Sequence, residues 1–366
     1  MTIQQHLLKM KKIQAAVLKY IDSEYNESSL FSNLKKLFQK PNIEKNAIEL
    51  KEVLHIISDI SNYHPRKPGF FNKIFQILNE LKSGIKSNFS ERSIFTIFKH
   101  NKRIILFLIE EKFIKIETFA GFIKENSDYL KYFAPEIKPF IKIHEQLPED
   151  FEERRRTGEN DDLLCKMIRE DMLDDFISFV KENKIKLSSK TYKSIYETNS
   201  FLIDKNPTLI EYAVFSGSVG IFNYLHENKV ELKPELWHFA IHSNNIDMIY
   251  LLEEFQVEPI EDDYEKYIEE SISCHNTDIM NYFTTNLFPR KQKIAQQMLQ
   301  FGLKYHNYSF IIKDFLDGSV FHELCQYDYI YFVISILKTK EIDINNKKIQ
   351  HQIIQLHSKS NISMKL

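Results

Sequence analysis

Apolar residues recur at three- and four-residue spacing along almost the whole chain, and strict apolar–polar alternation is scarce, so the pattern predicts helix throughout. In the N-terminal part the spacing predicts helices near residues 3–22, 27–39, 43–62, 69–82, 91–99, 102–112, 117–132 and 136–146. Asn42 and Ser90 are the expected N-caps of two of them, because a short polar side chain accepts from the backbone N–H groups that a helix start leaves free. His64-Pro65 and Lys67-Pro68-Gly69 interrupt the pattern.

From Ile210 a longer period is superposed on the helical one. IEYAVFSGSVGIFNYLHENKVELK from Ile210, WHFAIHSNNIDMIYLLEEFQVEP from Trp237, YIEESISCHNTDIMNYFTTNLFP from Tyr267 and SVFHELCQYDYIYFVISILKTKEIDIN from Ser319 share one plan. Each spells an apolar helix with a small residue at its centre, a polar elbow, a second apolar helix and a polar turn. A helix pair this short cannot bury both apolar faces alone, so such pairs are expected to stack into an array whose long surface suits binding another macromolecule. The central small residues are Ala213, Ala240, Ser271 and Gly302, at spacings of 27, 31 and 31, and they let neighbouring pairs approach closely. Positions two and three residues beyond them, Phe215 and Ser216, His242 and Ser243, Ser273 and Cys274, are expected on the inner helix surface.

LLCKMIREDMLDDFISFVKENKIKLS from Leu163 fits the same plan, and FTIFKHNKRIILFLIEEKFI from Phe95 overlays FAIHSNNIDMIYLLEEFQVE from Phe239 without a gap. Between these lies LPEDFEERRRTGENDD, residues 147–162, which reads as a polar junction with Pro148 and Gly158. The expected division is therefore 1–150 as an N-terminal helical domain, repeat-like from about residue 90, and 151–366 as the repeat array.

Several of these stretches resemble the ankyrin-repeat proteins, in particular a divergent helical-repeat family from protists classed as a domain of unknown function. Ser319-Val320-Phe321-His322 echoes the ankyrin T-P-L-H-x-A, Gly217-Ser218 stands between two helices, and Asp343-Ile344-Asn345 closes the last unit. ETNSFLIDKNPTLIEYA from Glu197 to Ala213, GENDD and PEIKPF are similar to that protist family specifically, and the resemblance covers nearly the whole chain. It implies an all-α, ankyrin-type helical-pair solenoid and an unassigned partner; residues 1–88 are expected as an N-terminal helical cap, because a solenoid needs its open end covered for solubility. The resemblance also implies that His322 donates a hydrogen bond to neighbouring backbone. It carries no activity that transfers.

Composition narrows the partner. Forty-nine basic and fifty-one acidic residues give a net charge of -2, so no global field collects nucleic acid or an anionic membrane. Lys9, Lys11, Lys12 and Lys19 on the first helix are the local exception and the basis of an alternative nucleic-acid reading. Only 8 Gly are present, which leaves little material for a phosphate loop. No signal-peptide or membrane-span pattern occurs, so a cytoplasmic location is expected, with the nucleus as alternative. The 3 cysteines, Cys165, Cys274 and Cys325, suit a reducing compartment and reduced, buried thiols.

Candidate chemistry is sparse. His238 and His242, Cys274 and His275, and His322 and Cys325 are close in sequence, yet no set of four converging zinc ligands is spelled, and neither metal nor cofactor is expected. A Cys–His nucleophile assembled from distant positions is the enzyme alternative. Arg154-Arg155-Arg156 reads as a solvated helix end or linker, the sharper reading being an import or phosphate contact. Between Glu258 and Glu270 lie 7 acids and the single Lys266, expected at a finger-like turn between two repeats. The expected function is a protein-interaction scaffold, monomeric and without catalysis. Its partner-binding residues are Phe215, Trp237 and His242 on the inner surface and Glu261, Asp262, Asp263 and Glu265 on the acidic turn.

Overall fold

A computed structural model of the chain describes residues 1–25, 27–39, 42–123, 127–141, 147–243, 245–288, 295–339 and 347–360. Among the described residues the structure is all helix and turn, with one isolated bridge between Lys190 and Thr208 and no strand. The first helices are Ile3–Ile21, Glu27–Gln39, Ala47–Tyr63, Phe70–Glu80 and Lys82–Asn88. Asn42 is not the cap expected of it: its backbone is left-handed, and Asn46 takes the role, its Oδ1 accepting from the N–H groups of Ile48 and Glu49. Ser90 does cap the next helix, Glu91–Phe98, by accepting from Ser93 N. The helix expected over 117–132 is described as two pieces, Ile116–Phe122 and Ser127–Tyr132.

Helical hairpins succeed one another: Leu163–Arg169 with Leu173–Glu182, Leu209–Ser216 with Val219–Glu227, Leu236–Ser243 with Ile246–Glu254, Tyr264–Ser273 with Thr277–Tyr282, and Phe321–Gln326 with Ile330–Thr339. Ala295–Lys304 stands between the last two. The first helix of each hairpin packs on the first helix of the next, from Leu163–Arg169 to Ala295–Lys304 and on to Phe321–Gln326. The small residues lie at these contacts: Ala213, Ala240 and Ser271 are fully buried. A Cβ on Gly302 would come within 3.0 Å of the Phe310 Cβ and 3.2 Å of the Asn307 carbonyl oxygen.

The elbows repeat a physical device. A residue four beyond the small one turns left-handed, Gly217 (φ 71°), His275 (φ 59°) and His306 (φ 45°). A nearby Asn then caps the next helical turn: Asn245 accepts from Asp247 N, Asn276 from Ile279 N, and Asn307 from Ser309 N. Two of these side chains also donate to the preceding elbow, Asn245 to Gly217 O at 3.1 Å and Asn307 to Ile272 O at 2.9 Å. The Glu91–Phe98 and Lys102–Glu110 pair has the same construction. Asn101 accepts from Ile104 N, and Lys112 turns left-handed at the place equivalent to Gln256 in the gapless overlay.

The apolar core does not divide at 150. Buried side chains of the N-terminal helices form one cluster with Leu299, Leu303, Leu324, Tyr329, Phe332 and others of the last hairpins. Cys165 to Phe288 form a second cluster with Phe310. The N-terminal helices therefore share a core with the last hairpins. Ala47–Tyr63 makes the polar part of this seam. Lys51 Nζ pairs with Asp328 at 3.0 Å, Glu52 accepts from Tyr308 Oη at 2.7 Å, and His306 Nδ1 lies 2.7 Å from Asp59.

Residues 147–162 are not a loose junction. Arg155 is buried, held by Glu136 of PEIKPF and by Glu152; Arg154 pairs with Asp150 and Asp161, and Arg156 with Glu110 at 3.2 Å. Only Arg155 is packed away, while Arg154 and Arg156 form exposed ion pairs at the helix end. His322 also departs from expectation: it is exposed, and its Nδ1 accepts from the Gln352 side chain at 2.7 Å instead of bonding backbone. Asp343-Ile344-Asn345 lies outside the described residues. No helix among them is long and apolar enough to cross a membrane.

Candidate functional site

A cleft of about 670 Å³ opens where the N-terminal helices meet the inner surface of the first three hairpins. Phe215, Ser216, His242 and Ser243 line it from the array, Phe70 and Phe71 from the opposite side. The inner-surface positions expected from the small-residue register thus do gather on one cavity, for two of the three pairs. The third pair is covered: Ser273 and Cys274 are buried, and His64 Nδ1 donates to Cys274 O at 2.7 Å.

One wall is a buried polar knot tied by residues 158–160 and 197–199. Glu197 accepts from Asn160 N at 3.2 Å, Thr198 N at 2.9 Å and Asn199 N at 2.7 Å. Gly158, left-handed at φ 70°, offers its carbonyl to Arg66 Nη1 at 2.6 Å and to Thr198 Oγ1 at 2.7 Å. A Cβ at Gly158 would come within 2.6 Å of the Phe71 ring, so only glycine fits. Arg169 completes the wall, donating to Asn160 O and Tyr212 Oη, each at 2.8 Å, and pairing with Glu159 at 3.2 Å. Burial pushes the Glu159 carboxyl above its ordinary range and Arg169 opposes that shift.

His242 stacks on Phe201 with ring centroids 3.8 Å apart, and its Nδ1 lies 2.9 Å from Cys274 Sγ. The fold therefore builds a Cys–His pair from positions 32 residues apart. Its electrostatics favour the neutral form. Burial drives the Cys274 thiol strongly up and the His242 imidazolium strongly down, with Lys205 adding to the latter, so a thiol and an uncharged ring share one hydrogen bond. Cys274 has no exposed surface from which to attack a substrate. The cysteines are buried and outside any disulfide, and no three His, Cys, Asp or Glu among the described residues converge on a point that could hold a metal.

The other expected site residues separate. Phe215 is half-buried beside Phe201 and His242, at the cleft. Trp237 is wholly buried, its Nε1 donating to Val257 O at 2.7 Å, so it is a core residue and cannot anchor a partner. His242 lines the cleft yet is only 3% exposed. On the acidic turn Glu261, Asp262 and Glu265 are exposed, whereas Asp263 is committed to His238 Nε2 at 2.9 Å, with Glu270 on the ring's other nitrogen at 2.7 Å. None of the four lines the cleft. Lys9 of the basic first helix is spent on an ion pair with Glu49.

Nothing in the local sequence singles out Arg66, Phe71 or Glu197 as site residues. Arg66 stands between Pro65 and Lys67-Pro68-Gly69, a stretch legible only as a helix break, and its role depends on residues more than ninety positions away. Comparison of the chain with protein-family models, with curated proteins and with solved structures found no match.

Proposed function

We propose that this chain is an ankyrin-type helical-pair solenoid that works as a protein-interaction scaffold without catalysis, and that a partner docks in the cleft beside Phe215 and His242. Support for the solenoid reading comes from the succession of hairpins whose first helices pack on one another, with small residues at the contacts and Asn-capped elbows. Unfinished hydrogen bonding carries the docking reading. His242 Nε2 and Ser216 Oγ are buried and have no partner among the described residues, and both residues line the cleft. Buried polar atoms are ordinarily paired, and leaving one unpaired costs about 1–3 kcal/mol. A ligand seated here would supply the missing partners.

The test is affinity capture from the native cell with the full chain as bait, repeated with Ser216→Arg, which fills the cleft mouth. The captured protein should be lost from the variant while the melting temperature stays within about 2 °C of the parent. Retention by Ser216→Arg combined with loss on Glu261→Gln, Asp262→Asn and Glu265→Gln would move the site to the acidic turn.

A further inference from the structure

The chemistry this surface accepts is displayed by one stretch of the chain that already lies on it. Between the helices ending at Tyr63 and starting at Phe70, the backbone is irregular and carries His-Pro-Arg-Lys-Pro-Gly. His64 donates to Cys274 O, at an inner-surface position equivalent to those that line the cleft. Arg66 is received by Gly158 O at 2.6 Å, Thr198 Oγ1 at 2.8 Å and Glu197 at 3.5 Å, with its guanidinium 4.9 Å above the Phe71 ring. A carbonyl, a hydroxyl, a carboxylate and an aromatic face together are what a planar guanidinium takes.

The cleft, which Arg66 itself lines, keeps acceptors and aromatic surface beyond those that Arg66 takes up. Arg66, Lys67, Arg154, Arg156 and Arg169 are each paired to an acid of this chain. Lining the cleft, Glu153 and Glu170 are exposed and have no ion pair among the described residues, against the single unpaired cation Lys166. Leu209–Ser216 and Leu236–Ser243, of 8 residues each, end at the cleft and bring the negative ends of their dipoles to it. Phe215, half-buried, supplies aromatic surface, and Ser216 a hydroxyl. The Nε2 of His242, which is 3% exposed, has no hydrogen-bond partner among the described residues.

Resting on the reading of the cleft as a docking site, we infer that its occupant is an extended, arginine-bearing peptide segment of a partner protein. Extended main chain presents a donor and an acceptor at every residue, which serves His242 and Ser216 whichever ring nitrogen carries the proton. The arginine serves Glu153 and Glu170.

A phage-displayed library of random linear peptides, panned on the full chain, tests this directly. Selected sequences should be enriched in Arg, and a selected peptide should bind about fivefold more weakly to the Glu153→Gln/Glu170→Gln double variant, the loss expected for two partly exposed charge pairs. The difference should shrink as added salt shortens the screening length. Both glutamates are exposed, so their replacement leaves folding intact. Acidic or uncharged selected peptides, or equal binding by the double variant, overturn the inference; if Ser216→Arg still abolishes that binding, the docking reading survives. Failure to select any peptide, or full binding by Ser216→Arg, removes both.

Discussion

Glu197 and Gly158 show how much a single residue organises when it is buried with its partners in place. The Glu197 carboxylate is satisfied by three backbone N–H groups and Arg66, and the Gly158 carbonyl by Arg66 and Thr198, so a charge that would be costly to bury is fully hydrogen-bonded. Cys274 is the contrasting case. It meets His242 at the spacing of a catalytic pair, but burial and then Glu270 oppose a thiolate, and the Ser273 hydroxyl offsets them only in part. The thiols are therefore expected to be inert in the folded protein: titration with a thiol-reactive chromophore should count none quickly in native buffer and 3 in denaturant. Rapid native labelling of Cys274 would reinstate the nucleophile.

At the scale of elements, the hairpins are too short to be stable alone, and the elbow asparagines join each to its neighbour. Asn245 is half-exposed; its cap to Asp247 N and its bond to Gly217 O are what Asn245→Ala removes, at a cost of about 1–2 kcal/mol. Asn307 is fully buried and additionally accepts from Gln14 of the first helix at 2.8 Å, so Asn307→Ala strands more groups and should cost about 2–4 kcal/mol. Denaturant unfolding of the two variants should give that order; the reverse order would mean the clamp is not what the Asn contributes. Elements also show where reading the chain falls short. Apolar periodicity located the helices because a buried stripe imposes it, whereas Asn42 and Asn46 are equally good caps on paper. The choice between them depends on the short turn Ile43–Lys45 that precedes the helix.

For the whole molecule, the seam between Ala47–Tyr63 and the last hairpins is rich in histidine. His55 stacks on His306 at 4.5 Å; burial and then His306 lower its pKa, Lys51 adding to this and Asp328 opposing. His275 is held at about 4 by burial, then by His64, with Asp59 opposing and His306 adding. A folded-state pKa below the unfolded value near 6.5 means the unfolded chain binds more protons under that pH. The stability these neutral rings confer is therefore complete above about pH 6.5 and is lost as the pH falls toward about 4. The melting temperature should drop between about pH 7.5 and pH 5, by an amount worth a few kcal/mol. His275→Asn tolerates the left-handed backbone and should flatten the profile. An unchanged profile in that variant would place the acid sensitivity elsewhere.

The sequence by itself determined the helices, the hairpin units, the small residues at their contacts and the inner-surface positions Phe215, Ser216, His242 and Ser243. All of these arise from local periodicity, which a helix packed on one face must show. Only the tertiary structure decided that the N-terminal helices share a core with Leu299 to Leu356, that Trp237 is internal, that the arginine trio pairs with Glu136, Asp150 and Glu110, and that Arg66 meets Gly158 and Glu197. Apart from the local Asp150–Arg154 pair, these pairings join residues from about twenty to more than two hundred positions apart, and a residue's own neighbours carry no record of which distant partner will neutralise its charge or cover its ring.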